Sequence, residues 1–215
     1  MVESNHLWTL MIHGLMENFR IPISIIDNFL SDPDGFVDYS RKLSFTGPKE
    51  SHNFPGIRCN IHNEDIINAV LSVFFPVNEN TRWRASMGFQ ITNSDLQKGW
   101  IHQDNDTLMA FILYLNKNPD PESGTSIFKR IKIDKSIDTE DTKNIKRLGH
   151  KGKIPQDKKY FDTLNQWNSQ FEETLEVKNQ YNRLLVFDHT TYHGVKKYVD
   201  DRLTFCGFIN ELSIK

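Results

Sequence analysis

His102-Gln103-Asp104 and a distant His193 offer two imidazoles and one carboxylate. That ligand set leaves about half of an octahedral coordination sphere open, the facial arrangement that non-haem Fe(II) uses to hold a cosubstrate and dioxygen side by side. Residues i and i+2 of an extended segment point to the same side, so His102 and Asp104 can aim at one point from a single strand end. His193 follows the apolar run Leu184-Leu185-Val186-Phe187, where a second strand would carry it to the same mouth. Arg202 and Thr204 share the same i, i+2 relation, so a guanidinium fork and a hydroxyl can meet one carboxylate together. Tyr114 adds a phenol within reach of that carboxylate, and Gln90 and Thr92 lie where they could line a cosubstrate pocket. Metal ligands and an anion anchor at separate depths describe a site for a linear dicarboxylate.

These residues need elements to position them. Ile21–Leu30 reads as a strand running into a turn, and Ser31-Asp32-Pro33-Asp34 offers caps for a helix near Gly35 to Leu43. Ile66, Ile67, Val70, Leu71 and Phe74 recur at helical spacing, which predicts a helix from Asn63 to about Phe74. From Trp83 the pattern becomes strand-like: Trp83–Ile91, Gly99–Gln103, Thr107–Leu115, then Asn182–Asp188 and Arg202–Ile209, broken by Gly, Pro, Asn and Asp. The expected fold is mainly β: a jelly roll, or double-stranded β-helix, with N-terminal helices on one face. Helical support would occupy about 1–82, the jelly-roll core about 83–128 and 180–211, and an insertion about 129–179. Arg130 to Gln156 is too long and polar for a hairpin connection, leaving open a lid, a disordered loop or a small insertion. Phe161, Leu164, Trp167 and Phe171 predict an amphipathic helix closing it, its aromatic stripe read as packing. Phe54-Pro55-Gly56-Ile57-Arg58 reads as a loop whose arginine makes either a turn contact or a substrate contact at the site mouth.

Composition narrows the classes. At 215 residues the chain fits one domain able to bury its own core, and 38% hydrophobic with 12% aromatic residues is globular. No apolar run approaches the roughly 20 residues that span a bilayer. Met1-Val2-Glu3-Ser4-Asn5-His6 shows no secretory leader. Cys59 and Cys206 read as two buried thiols, and a reducing cytoplasm is the expected compartment. A net charge of −2 gives no global signature for nucleic acid or membrane, but 129–159 carries a local +6. That basic segment lacks the aromatic interleaving that would stack bases, which argues against nucleic acid.

Beyond the ligand pattern, Phe111-Ile112-Leu113-Tyr114-Leu115-Asn116, Ser123-Gly124-Thr125-Ser126-Ile127-Phe128 and Asn182-Arg183-Leu184-Leu185-Val186-Phe187 match in order and spacing the strands of a known family. With His102-x-Asp104 and His193-x8-Arg202-x-Thr204, the stretch from Arg84 to Glu211 resembles the 2-oxoglutarate and Fe(II)-dependent dioxygenases, in particular their prolyl-hydroxylase-like branch. The resemblance implies iron on His102, Asp104 and His193, with 2-oxoglutarate chelating it and reaching Arg202, Thr204 and Tyr114 through its distal carboxylate. It implies hydroxylation of a protein side chain or a small metabolite by dioxygen, with release of succinate and carbon dioxide. His189 is a competing ligand whose distance to Arg202 fits the family less well. Two other classes remain open: a cupin-like isomerase or lyase on another metal, and a non-catalytic binding module built on the same barrel. Substrate and oligomeric state are not legible.

Overall fold

The computed structural model describes residues 19–49 and 53–214. The leader expectation at Met1–His6 therefore lies outside the described residues. Nine strands are β1 (Ser24–Ile26), β2 (Ile57–Ile61), β3 (Arg82–Thr92), β4 (Met109–Tyr114), β5 (Thr125–Arg130), β6 (Phe171–Val177), β7 (Leu184–Asp188), β8 (Tyr192–Val195) and β9 (Arg202–Ser213). Among the described residues the α-helices are α1 (Pro33–Ser40), α2 (Glu64–Leu71), α3 (Glu140–His150) and α4 (Lys158–Asn168). The strands form a six-stranded sheet in the order β1-β7-β4-β9-β3-β2 and a three-stranded sheet in the order β6-β5-β8. Every pairing is antiparallel.

The period-2 alternation decides which face of the large sheet does what. Met109, Phe111 and Leu113 of β4 point outward with Met87, Phe89, Phe205 and Ile209, and meet Val37 of α1 and Ile66, Ile67, Val70 and Leu71 of α2. Gly207 lets the Phe111 ring lie across β9, since a Cβ there would stand 2.2 Å from it. The intervening residues Ala110, Ile112 and Tyr114 turn inward with Leu185, Phe187 and Phe208. Because β7 is covered on both faces, Leu184 to Asp188 are all buried. Both helices begin where the sequence signals placed them: the side chains of Asp32 and Asn63 accept from the backbone N–H of Gly35 and Ile66.

Several expectations change in contact with the structure. Gly99–Gln103 is extended but is not a strand of either sheet; only an isolated bridge joins His102 to His193. Phe54–Arg58 is not all loop, because β2 begins at Ile57 and pairs with β3 through Arg58 opposite Gln90. The insertion is narrower than 129–179: β5 runs to Arg130 and pairs with β6, so 131–170 is a two-helix excursion from a β-hairpin. That excursion is ordered into α3 and α4 rather than a structureless loop. Cys59 and Cys206 are free thiols, half-buried rather than buried. Among the described residues no helix is long and apolar enough to cross a membrane.

Candidate metal centre and its anion pocket

His102, Asp104 and His193 converge, with one ligand atom from each lying within 4.8 Å of the others. Asp104 Oδ1 stands 3.6 Å from His102 Nε2, and Oδ2 stands 3.5 Å from His193 Nε2. Each imidazole has its other nitrogen engaged: His102 Nδ1 lies 2.8 Å from Trp100 O, and His193 Nδ1 lies 3.1 Å from Thr191 O. A carbonyl can only accept, so both Nδ1 atoms carry a proton and both Nε2 atoms face the cluster. This is the orientation that a metal requires. Burial, reinforced by the nearby Lys146 charge, holds the His102 imidazole well below its ordinary pKa, which keeps its Nε2 lone pair free at neutral pH. His189, the competing ligand, is not part of the cluster; its Nδ1 is buried without a partner.

The extended 99–102 segment is held from two sides. On one, Gly99 N donates to Val195 O at 2.7 Å, and His102 and His193 exchange backbone hydrogen bonds at 3.0 and 2.9 Å. On the other, α4 supplies side chains: Trp167 Nε1 donates to Ile101 O at 2.7 Å, Asn168 Nδ2 donates to Gly99 O at 2.9 Å, and Asn168 Oδ1 accepts from Ile101 N at 3.1 Å. Trp100 is buried and donates through Nε1 to Tyr160 Oη at 2.8 Å. The aromatic stripe of α4 is thus packing, and what it packs is the segment that delivers His102.

A cavity of about 400 Å³ opens from this cluster, lined among others by Arg202, Gln90, Thr125, Phe187, Tyr198 and Cys206. Arg202 is 3% exposed, and its Nε donates to Ser123 O at 2.7 Å. Its Nη2 is buried with no partner. Three more orphaned atoms surround it: Thr92 Oγ1 on the residue opposite Arg202 in β3, Tyr114 Oη, and Thr125 Oγ1 on β5. The Tyr114 ring lies 5.7 Å from the guanidinium carbon, and burial pushes the phenol's pKa up, so it stays a donor. Tyr114 and Thr125 also reach each other, but each unsatisfied buried polar atom costs about 1–3 kcal/mol, and this gathering of hydroxyls around the Arg202 guanidinium fits an anionic ligand. The donor set, two imidazoles and a carboxylate beside a buried guanidinium, fits Fe(II) with a chelating dicarboxylate.

The remaining expected pocket residues divide. Thr204 is fully buried opposite Tyr114, with its Oγ1 accepting from Cys206 Sγ at 3.4 Å. Gln90 lines the cavity, but its amide is engaged, donating to Pro55 O at 2.6 Å and accepting from Arg58 Nη2 at 3.0 Å. Among the described residues lining the cavity, Thr92, Tyr114 and Thr204 are absent, although they adjoin Arg202 in the sheet. Sequence reasoning missed Thr125, Lys146 and His150. The last two ride on α3, whose start was signalled by Thr139 as cap with Glu140 and Asp141 in the first turn and whose end carries Arg147 and His150. Burial pulls Lys146 down to about 8 and His150 down to about 3.

Residues 12–196 match a family model described as a "Family of unknown function (DUF6445)". The chain belongs to this family. No curated protein matches it. In fold, this DUF6445 member is similar to a prolyl hydroxylase from Trichoplax adhaerens, solved in complex with a hypoxia inducible factor oxygen degradation domain peptide fragment, at 13% identity over 97% of this chain and 91% of that one, with a TM-score of 0.53. It is similar also to SnoK, a non-heme alpha ketoglutarate dependent carbocyclase from nogalamycin biosynthesis, at 12% identity over 92% and 81% of the two chains and a TM-score of 0.50. HygX from Streptomyces hygroscopicus, solved with nickel and 2-oxoglutarate bound, matches at 13% identity over 97% and 87%, with a TM-score of 0.48. At these identities the likeness is one of fold: this DUF6445 chain has the double-stranded β-helix of the 2-oxoglutarate oxygenases.

Proposed function

We propose that the chain is an Fe(II)- and 2-oxoglutarate-dependent oxygenase that hydroxylates a protein side chain or a small metabolite in a reducing cytoplasm, releasing succinate and carbon dioxide. The observation that carries this reading is the meeting of the His102–Asp104–His193 cluster with Arg202 and Thr125 in one cavity, with the buried hydroxyls of Thr92 and Tyr114 beside Arg202 in the sheet. His102 Nε2, His193 Nε2 and the Asp104 carboxylate would hold the iron, leaving positions for 2-oxoglutarate and dioxygen. Arg202, with Thr204 and Tyr114 beside it, would hold the distal carboxylate of 2-oxoglutarate, and Thr92 and Thr125 would offer it further hydroxyls. When bound, the iron couples reduction of dioxygen to oxidative decarboxylation of 2-oxoglutarate and oxidation of the primary substrate.

What the chain itself does is hold geometry. The Nδ1–H donations of His102 and His193 lock both rings, and the Arg202 guanidinium, braced on Ser123 O, sets the depth and direction of an entering dicarboxylate. Ala110, Ile112, Phe187 and Phe208 make the wall beside the cluster apolar and keep water from the reacting atoms.

Anaerobic titration of Fe(II)-loaded protein with 2-oxoglutarate tests the reading. A visible charge-transfer band that is absent from His193→Ala is the expected result, and succinate release then serves to find the primary substrate. Iron bound without any band would overturn it in favour of a cupin-like enzyme on another metal or a binding module.

A further inference from the structure

In the cavity that Arg202 also lines, basic side chains gather with Asp104 as the carboxylate whose charge reaches them. Arg58 of β2, with Lys146 and His150 of α3, lines the same cavity as the metal cluster, and the only carboxylate among the described lining residues is Asp104. Asp104 belongs to the metal centre, so it is not available to neutralise them. Arg58 is held in place: its guanidinium lies 4.4 Å over the Phe54 ring, and Nη2 donates to Gln90 Oε1 at 3.0 Å. Its Nε is buried with no partner, and Arg58 has no ion pair among the described residues. Lys146 has neither a hydrogen bond nor an ion pair there, and burial makes its charge costly, as its lowered pKa records. His150, neutral at physiological pH, has Nδ1 3.1 Å from Asn53 Oδ1 and so ties α3 to the segment ahead of β2 across the mouth.

The two basic centres are separate. Arg58 stands opposite Gln90, and Gln90 stands opposite Thr204, so β3 lies between the strand of Arg58 and that of Arg202. At about 4.8 Å per strand that places the two backbones about 10 Å apart, and different partners hold the two guanidiniums, Gln90 and the Phe54 ring for Arg58 and Ser123 O for Arg202. A cavity of this volume, bridged at its mouth by the His150–Asn53 contact, suits a small molecule.

We propose that Arg58 and Lys146, with His150 beside them, form a second anion subsite that binds a carboxylate or phosphate group of a small primary substrate, placing the rest of that molecule over the metal centre. This deepens the oxygenase reading and rests on it. The fork of Arg58 supplies bidentate geometry and Lys146 a point charge, in the cavity that the metal cluster also lines. The substrate class is therefore a small organic acid or phosphate ester.

The test uses the full-length protein loaded with Mn(II) and saturated with 2-oxoglutarate, so that Arg202 is occupied. Inorganic phosphate and acetate are the probes, with paramagnetic relaxation of 31P and of the methyl protons read against concentration. Arg58→Gln, Lys146→Gln and the exposed-charge control Lys135→Gln are compared with the parent. The expected result is saturable relaxation whose half-saturation concentration rises about tenfold or more in the first two variants and stays put in the third. The anion that saturates at the lower concentration names the group recognised. Relaxation that never saturates, or that is equal in all four proteins, overturns the subsite. The charge-transfer titration of the Fe(II) form separates the two failures: no band condemns the oxygenase reading itself, whereas a band with unsaturable anions condemns only the substrate subsite. Because the two variants sit on different elements, misfolding of one, read by circular dichroism, leaves the other to decide.

Discussion

Arg202 is buried among residues of β3, β4, β5 and β9 and braced on Ser123 O, whereas Arg58, Lys146 and His150 reach into the same cavity half-buried from an edge strand and from a helix of the 131–170 excursion. The Arg202 end is rigid because each of its side chains projects from a strand paired on both sides. The Arg58 end depends on how α3 rests on α4, so it can differ between relatives without disturbing the jelly roll.

The comparison can be broken first at the metal. Asp104→Ala or His102→Ala is expected to abolish iron binding altogether while sparing the fold, since neither side chain supports the apolar cores; metal analysis beside circular dichroism checks both halves. Next in size, Arg202→Ala should keep iron but weaken 2-oxoglutarate by about 2–4 kcal/mol, which is about 30- to 1,000-fold, because Tyr114 and Thr125 lose the buried charge they surround. Unchanged 2-oxoglutarate affinity in the anaerobic titration would mean that the anchor lies elsewhere.

Gly149→Ala sharpens the comparison from the opposite end. A Cβ at 149 would stand 2.2 Å from Tyr160 Cε2, and that ring is pinned by the hydrogen bond from Trp100, so α3 must move. Affinity for phosphate or acetate should drop about tenfold by the relaxation assay while 2-oxoglutarate binds as before; loss of both would show that the two ends are not independent. The smallest effect belongs to Asp27, whose carboxylate receives Arg183 Nε at 2.6 Å and Nη2 at 2.9 Å. The Arg183 hydrogen bonds hold its pKa below the usual carboxylate value, so the pair stabilises the fold above that range and the contribution is lost as pH falls through the folded value. Asp27→Asn should cost at most about 1 kcal/mol in chemical denaturation at neutral pH, a difference that fades in acid.

The sequence by itself determined the candidate cluster and the strand that runs through 109–114. His102-x-Asp104 was legible because an extended segment's period of two converts spacing directly into a shared face, whereas which side of 109–114 meets the core was left to the tertiary structure, since all six residues are apolar. The helices capped by Asp32 and Asn63 were legible because a cap is a local contact. Short β6 and β8 were not, since their identity comes from pairing with β5 across long loops rather than from their own residues. Only the tertiary structure decided that Gly99–Ile101 is clamped by α4, that Gln90 is engaged by Arg58 and Pro55, and that Lys146 and His150 belong to the cavity. Each of those joins residues separated by tens of positions through side chains, and no periodicity within one segment encodes where a distant segment will come to rest.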